Sequence, residues 1–258
     1  MTKDKAGTLT LARLNGQPEV FFTIQGEGKN MGLPSVFVRT SLCNLHCIWC
    51  DTDYTWNWLG TRFEHHNDAR PGYRKFDKKE WTVSLPVEEV AALVAAFPCK
   101  HLVLTGGEPL LQQEALGRLM QLLRDRDPDY TFEVETNGTL IPEGMFEQLA
   151  GQYNVSPKLA NSNNSKSLRE KPAAYYFFAQ SPKSNFKFVI AEKEDLTETL
   201  DLIDRYRIPA TKVWLMPEGA SRAALTRRRK WLAEVCKSFG FRYTDRLHVQ
   251  IWGGKKGV

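Results

Sequence analysis

Residues 35–50 read SVFVRTSLCNLHCIWC, a short apolar strand at 35–38 that runs into Cys43, Cys47 and Cys50. The same pattern, a strand and then a polar or Gly-rich turn, recurs along the chain. HLVL at 101–104 precedes TGGEP, YTFEV at 130–134 precedes ETNG, and 153–155 precedes SPK. NFKFVIA at 185–191 precedes EKED, KVWL at 212–215 precedes MPEG, and LHVQI at 247–251 precedes WGG. These runs are rich in Val, Ile, Phe and Tyr, and several are almost wholly apolar, as strands covered on both faces are.

Helical spacing of apolar residues predicts helices at 86–97, 112–124, 196–206 and 221–239. Pro86 stands at a first-turn position and Ser221 is the expected N-cap. Strands alternating with helices imply an α/β fold with mostly parallel strands and right-handed crossovers. Seven strands with an incomplete set of helices point to a partial (β/α) barrel rather than a full eightfold one. The distinctive polar groups all follow strands, and that end of a parallel α/β sheet carries the ligand. The reading is one domain over 1–258. Residues 56–81, aromatic and charged, read as an insertion that either covers the cysteine loop or makes a dimer contact. Residues 161–171, NSNNSKSLREK, read as a mobile polar loop.

Composition adds boundaries. Of 258 residues, 42% are hydrophobic and 25% charged, which is ordinary for a soluble globular chain. No apolar stretch approaches the roughly 18 residues of a membrane helix, and the first residues lack the features of a signal peptide, so a cytoplasmic location is expected. The net charge of +5 is mild and suits an anionic small molecule as well as a nucleic acid, so it decides little; the partner expected is a small molecule, with neither a membrane nor a nucleic acid. The densest basic run, Arg227 to Lys230, reads as a solvated helix face. Five cysteines, three of them within eight residues, argue for metal ligation in a reducing compartment rather than for disulfides. Cys99 and Cys236, beside apolar neighbours, read as buried inert thiols.

The spacing Cys-x3-Cys-x2-Cys lets a short loop wrap three thiolates around one corner of an iron–sulfur cube. Three thiolates for four irons leave one iron open, and a catalytic metal needs such a position. An amine and a carboxylate on one small molecule could chelate it, and S-adenosylmethionine (SAM) carries both. The alternative is a structural zinc with a histidine as fourth ligand, but zinc sites usually come as two separated ligand pairs and no second pair is present.

This cysteine triplet, with Trp49 before its last member and Thr105-Gly106-Gly107-Glu108-Pro109 after a later strand, resembles the radical SAM superfamily. In that superfamily the second motif holds the amino group of SAM. Glycines let backbone carbonyls approach an ammonium, and Glu108 could add charge. Residues 22–28 (FTIQGEG), Cys50-Asp51-Thr52, Phe37-Val38-Arg39 and the ending LHVQIWG at 247–253 resemble the 7-carboxy-7-deazaguanine synthase family of queuosine and 7-deazapurine biosynthesis. The likeness runs from about Glu19 onward and thins across 56–81 and the 160s. It implies conversion of 6-carboxy-5,6,7,8-tetrahydropterin to 7-carboxy-7-deazaguanine with loss of ammonia. It also implies a 5′-deoxyadenosyl radical, ring contraction, and Mg²⁺ on the substrate carboxylate.

The resemblance assigns roles as well. Cys43, Cys47 and Cys50 would hold a [4Fe-4S] cluster and Thr52 would ligate Mg²⁺. Ile24, Gln25, Gly26, Glu27, Arg39 and Thr105 would bind substrate. Gly107, Ser156, Pro157, Lys158, Met216, Pro217 and Glu218 would bind SAM. Glu135 and Asn137 would face the pocket without a definite role. No residue is assigned as a protein acid or base. A homodimer and an electron donor of flavodoxin or ferredoxin type are implied partners. Some relatives end in Gln-Thr-His-Lys and a terminal residue that reaches the substrate. This chain departs from that run, which puts a contact from Val258 in doubt and leaves His248 as a packed strand residue or a polar substitute. Two other readings stand beside this one: a glycyl-radical-enzyme activase of the same superfamily, and a zinc-stabilised RNA-binding module.

Overall fold

The structure is a computed structural model that describes residues 7–258. The strands are β1 (Thr8–Leu14), β2 (Gln17–Pro18), β3 (Val20–Ile24), β4 (Pro34–Thr40), β5 (Thr82–Pro86), β6 (His101–Gly106), β7 (Thr131–Thr136), β8 (Gln152–Val155), β9 (Ser184–Ile190), β10 (Val213–Pro217) and β11 (Arg242–Tyr243). The helices are α1 (Lys78–Trp81), α2 (Val87–Ala95), α3 (Gln113–Arg126), α4 (Gly144–Leu149), α5 (Lys166–Arg169), α6 (Pro172–Gln180), α7 (Lys193–Arg205), α8 (Arg222–Phe239) and α9 (Leu247–Trp252).

One sheet runs β11-β10-β9-β8-β7-β6-β4-β1-β2, with β3 on β4 and β5 on β1. From β4 through β11 its neighbours pair in parallel, while β1, β2, β3 and β5 pair antiparallel. The sheet does not close on itself, which is the expected partial barrel. Side chains alternate along each strand. On β7, Phe132 and Val134 point into the apolar layer beneath the helices. Glu133 and Glu135 point the other way, toward the barrel interior, where Asn154 of β8 donates to both.

Most expected elements are present, and Ser221 caps α8 by accepting from Ala224 N. Residues 247–251, read as a strand, are instead helix α9; six residues are too short for periodicity to separate the two states. The seventh parallel strand is the two-residue β11. Pro86 ends β5 rather than opening the helix. Strands β1, β2, β3 and β5 add an antiparallel flank that the strand-then-turn pattern does not reveal.

Residues 161–171 are ordered by tertiary contacts. Ser162, Asn164 and Arg169 are buried, and Arg169 reaches Asn164 O, Lys158 O and Glu198. Polar composition concealed this because the polar atoms are satisfied internally. Of the basic run, Arg227 and Lys230 are exposed, but Arg228 pairs with Glu192 and Glu218, and Arg229 with Asp245. Cys236 is buried, and Cys99 only partly.

Candidate active site

The C-terminal ends of the parallel strands open into a cavity of about 690 Å³. Its wall includes Ile24, Gln25, Gly26, Glu27, Arg39, Cys43, Cys47, Cys50, Thr52, Thr105, Gly107, Ser156, Lys158, Met216 and Glu218, together with Glu135, Asn137, His248 and Val258. Pro157 and Pro217 are buried but are not on the wall, because each follows a cavity-facing residue and neighbours along an extended chain face opposite ways.

The cysteine loop is fastened from several sides. Leu42 enters it at φ +76°, an uncommon conformation for a leucine, and its N–H donates to Thr55 O. Trp49 Nε1 donates to Asn161 O at 2.9 Å, Ile48 N to Ser162 O at 3.0 Å, and His46 N to Asn164 Oδ1 at 2.9 Å. Residues 56–81 lie over the loop: Phe63 stacks on His46, and His65 Nε2 meets Cys50 O at 2.8 Å. Burial pushes all three thiols up, Cys47 to about 12, so a metal held here would have to displace their protons. Three free thiols on one short loop, at the rim of a cavity with room for a chelating small molecule, suit a cluster with one open iron.

The glycines of the Thr-Gly-Gly-Glu-Pro turn serve contact with this loop. A Cβ on Gly107 would lie 2.1 Å from Leu42 O, and one on Gly106, at φ +136°, 2.0 Å from Thr40 O. Glu108 does not face the cavity. Its carboxylate is fully buried and accepts from Leu110 N, Thr136 Oγ1 and Asn137 N. Burial outweighs these donors and raises it to about 7. The sequence reading of Glu108 as a ligand charge is therefore corrected: it ties the ends of β6 and β7 together.

Two arginines border the cavity in different states. Arg39 Nε donates to Glu19 at 2.8 Å, and Glu19 also accepts from Tyr54 Oη. The two Nη groups of Arg39 have no hydrogen-bond partner among the described residues, which leaves a planar edge for a carboxylate. Arg246, absent from the sequence reading, is engaged by Glu27, Asp51 and Gly219 O and lies against His248. Glu27 also accepts from Lys187 Nζ at 2.6 Å, and Lys187 donates on to Glu135 at 2.8 Å. Burial alone would raise the Glu27 pKa, but the Lys187 and Arg246 charges hold it well below the usual carboxylate range. Lys187 had a signal in the sequence, a lone cation amid the apolar run NFKFVIA. Arg246 had none, because its partners lie far away in the chain.

Lys158 Nζ donates to Ser156 Oγ at 2.8 Å and sits over the Trp49 ring. Met216 is buried at the wall. The Thr52 hydroxyl makes no helix-cap bond, and its one hydrogen-bond contact among the described residues is to Cys50 Sγ, at 3.5 Å, so its oxygen is available to a hard cation that takes few protein ligands. A side chain on Gly26 would collide with the His248 imidazole, and Leu247 N donates to Gly26 O. The start of α9 is thus seated directly on the IQGEG loop.

Residues 37–208 match the Radical SAM superfamily. The chain is 37% identical to the 7-carboxy-7-deazaguanine synthase of Pyrobaculum aerophilum, over 93% of this chain and 95% of that one. It is 34% identical to the Halobacterium salinarum synthase, over 91% and 89%. Among solved structures it resembles the crystal structure of QueE from Escherichia coli, with a TM-score of 0.65, 25% identity, and coverage of 93% and 95%.

Proposed function

From the premise that this chain belongs to the radical SAM superfamily, and within it to the 7-carboxy-7-deazaguanine synthases, we propose a role for each group on the cavity wall. The enzyme is a lyase that converts 6-carboxy-5,6,7,8-tetrahydropterin to 7-carboxy-7-deazaguanine with loss of ammonia, using a [4Fe-4S] cluster, SAM and Mg²⁺. When bound, the cluster and SAM supply hydrogen-atom abstraction from C6 of the pterin. Everything else falls to side chains that bind and orient.

Cys43, Cys47 and Cys50 hold the cluster. Gly107, Ser156 and Lys158 border SAM, with Lys158 preset by its bond to Ser156, and Met216 and Glu218 flank its adenine. The free edge of Arg39 would take the substrate carboxylate, and the Thr52 hydroxyl would help hold Mg²⁺. Ile24, Gln25, Gly26 and Thr105 meet the pterin edge. Glu27, kept ionised, accepts from its guanidine-like N–H pair. The observation that carries this reading is the meeting of three free thiols, an arginine with an open edge and a locked carboxylate around one cavity.

The protein acts as a single domain over 1–258, of which the first six residues lie outside those described, with 56–81 as an insertion. It works in the cytoplasm as a homodimer, reduced by a flavodoxin- or ferredoxin-type protein. No described helix is long and apolar enough to cross a membrane. The test is anaerobic turnover of reconstituted enzyme with SAM, reductant, Mg²⁺ and carboxytetrahydropterin. Mass spectrometry should find 7-carboxy-7-deazaguanine, and its absence would sink the substrate assignment.

A further inference from the structure

Arg246 stands immediately before α9, and its side chain is only 12% exposed. Nε donates to Glu27 Oε1 at 2.9 Å and Nη1 to Gly219 O at 2.8 Å. Nη2 meets Asp51 Oδ2 and lies 3.4 Å from His248 Nε2. Four segments that are distant in the chain are thereby joined: the IQGEG loop after β3, the Cys50-Asp51-Thr52 turn, the loop after β10 and the start of α9. With Lys187, it forms a run of five charges of alternating sign, Glu135, Lys187, Glu27, Arg246 and Asp51. A guanidinium fixes the directions of its donors in a plane, which an ammonium does not. Each of its three nitrogens already has a protein partner, so most of its donors are committed to the fold, whereas both Nη groups of Arg39 are open.

We propose that Arg246 is a positioning residue that holds the Glu27 loop and the Thr52 turn at a fixed separation, so that pterin and Mg²⁺ are bound in register. The inference rests on the roles given above to Glu27 and Thr52. Without Arg246, Glu27 and Asp51 would be two carboxylates with no cation between them, and their repulsion would open the gap between the loops. Other charged groups near the bridge are Lys187, Glu135 and His248, with Arg39 and Lys256 acting on Asp51 through space, but among the described residues none of them hydrogen-bonds Asp51 as Arg246 does.

The test uses cluster-loaded, unreduced enzyme under anaerobic conditions. Carboxytetrahydropterin is titrated calorimetrically at several Mg²⁺ concentrations, and iron content is measured on each sample. Arg246→Met should weaken pterin binding by about tenfold or more and raise the Mg²⁺ needed for half-maximal affinity, with iron content unchanged. Arg246→Lys should recover part of the loss. Asp51→Asn, which spares the bond to Glu27, should raise the Mg²⁺ requirement with a smaller effect on pterin affinity at saturating Mg²⁺. Unaltered pterin affinity and Mg²⁺ dependence in iron-replete Arg246→Met would overturn the proposal. If that variant does not load iron, an unaltered Mg²⁺ requirement in Asp51→Asn overturns it instead. Failure of the unsubstituted enzyme to bind pterin at all would remove the underlying assignment of Glu27 and Thr52, and the inference with it.

Discussion

Glu108 turns its carboxylate away from the cavity and accepts the backbone N–H of Asn137 at 2.7 Å. The bond joins the turn that follows β6 to the end of β7, and the other carboxylate oxygen takes Leu110 N and Thr136 Oγ1. Replacing Glu108 with Ala leaves three buried donors without a partner, each costing about 1–3 kcal/mol. Urea unfolding of the iron-free protein should show a loss of several kcal/mol. Glu108→Gln keeps one acceptor oxygen and should lose less.

The same carboxyl makes stability depend on pH. Its pKa in the fold, about 7, lies above the ordinary 4.5, so between those values the native protein binds more protons than the unfolded chain. The contribution of this group to stability therefore falls as pH rises from 4.5 to 7, by an order of 3 kcal/mol. Unfolding of Glu108→Gln across that window should be flatter than that of the parent, and equal slopes would refute the assignment.

Gly107 is the closest point between the glycine turn and the cysteine loop. A methyl group there would overlap Leu42 O, which is backbone and cannot swing aside. Gly107→Ala should lower iron content and the brown absorbance of reconstituted protein, while far-ultraviolet circular dichroism stays close to the parent.

Arg39 has two tasks, pairing with Glu19 and presenting its free edge to the cavity. Arg39→Lys keeps a charge near Glu19 but loses the planar fork. It should raise the KM for the pterin by about tenfold or more, the range for losing a hydrogen bond to a charged group, and spare SAM affinity. Arg39→Met should also destabilise the fold, because Glu19 would then be a buried carboxylate with only Tyr54 as donor.

Thr52 offers its hydroxyl to the cavity without any cap bond to lose. Thr52→Ala should leave cluster content unchanged and raise the Mg²⁺ concentration for half-maximal turnover. Unchanged Mg²⁺ dependence would remove Thr52 from the metal's ligand set.

Local pattern carried much of this protein. Seven strand-then-turn runs announced a parallel α/β sheet, and six of them lie where expected; the exception, 247–251, is too short for its period to be read. Cys43, Cys47 and Cys50 stood out because the spacing of thiols within one loop is itself a local property. The antiparallel flank of β1, β2, β3 and β5 did not, since its pairing depends on partners up to 78 residues away. Asn164 was hidden for the same reason: as a polar residue in a polar stretch, it gives no sign of the hydrogen bonds it makes to His46 N and Cys47 Sγ.

The sequence by itself determined the strand order of motifs, the three-thiolate loop and the residues that would surround a cofactor, because each is written in contiguous residues. Only the tertiary structure decided what the charged groups do. Glu108 faces inward because the end of β7 supplies its donors, and Glu27 stays ionised because β9 and the residue before α9 bring Lys187 and Arg246 against it. The charge state and orientation of a buried side chain are set by whatever surrounds it in space, and spatial neighbours from remote segments leave no mark on the local sequence.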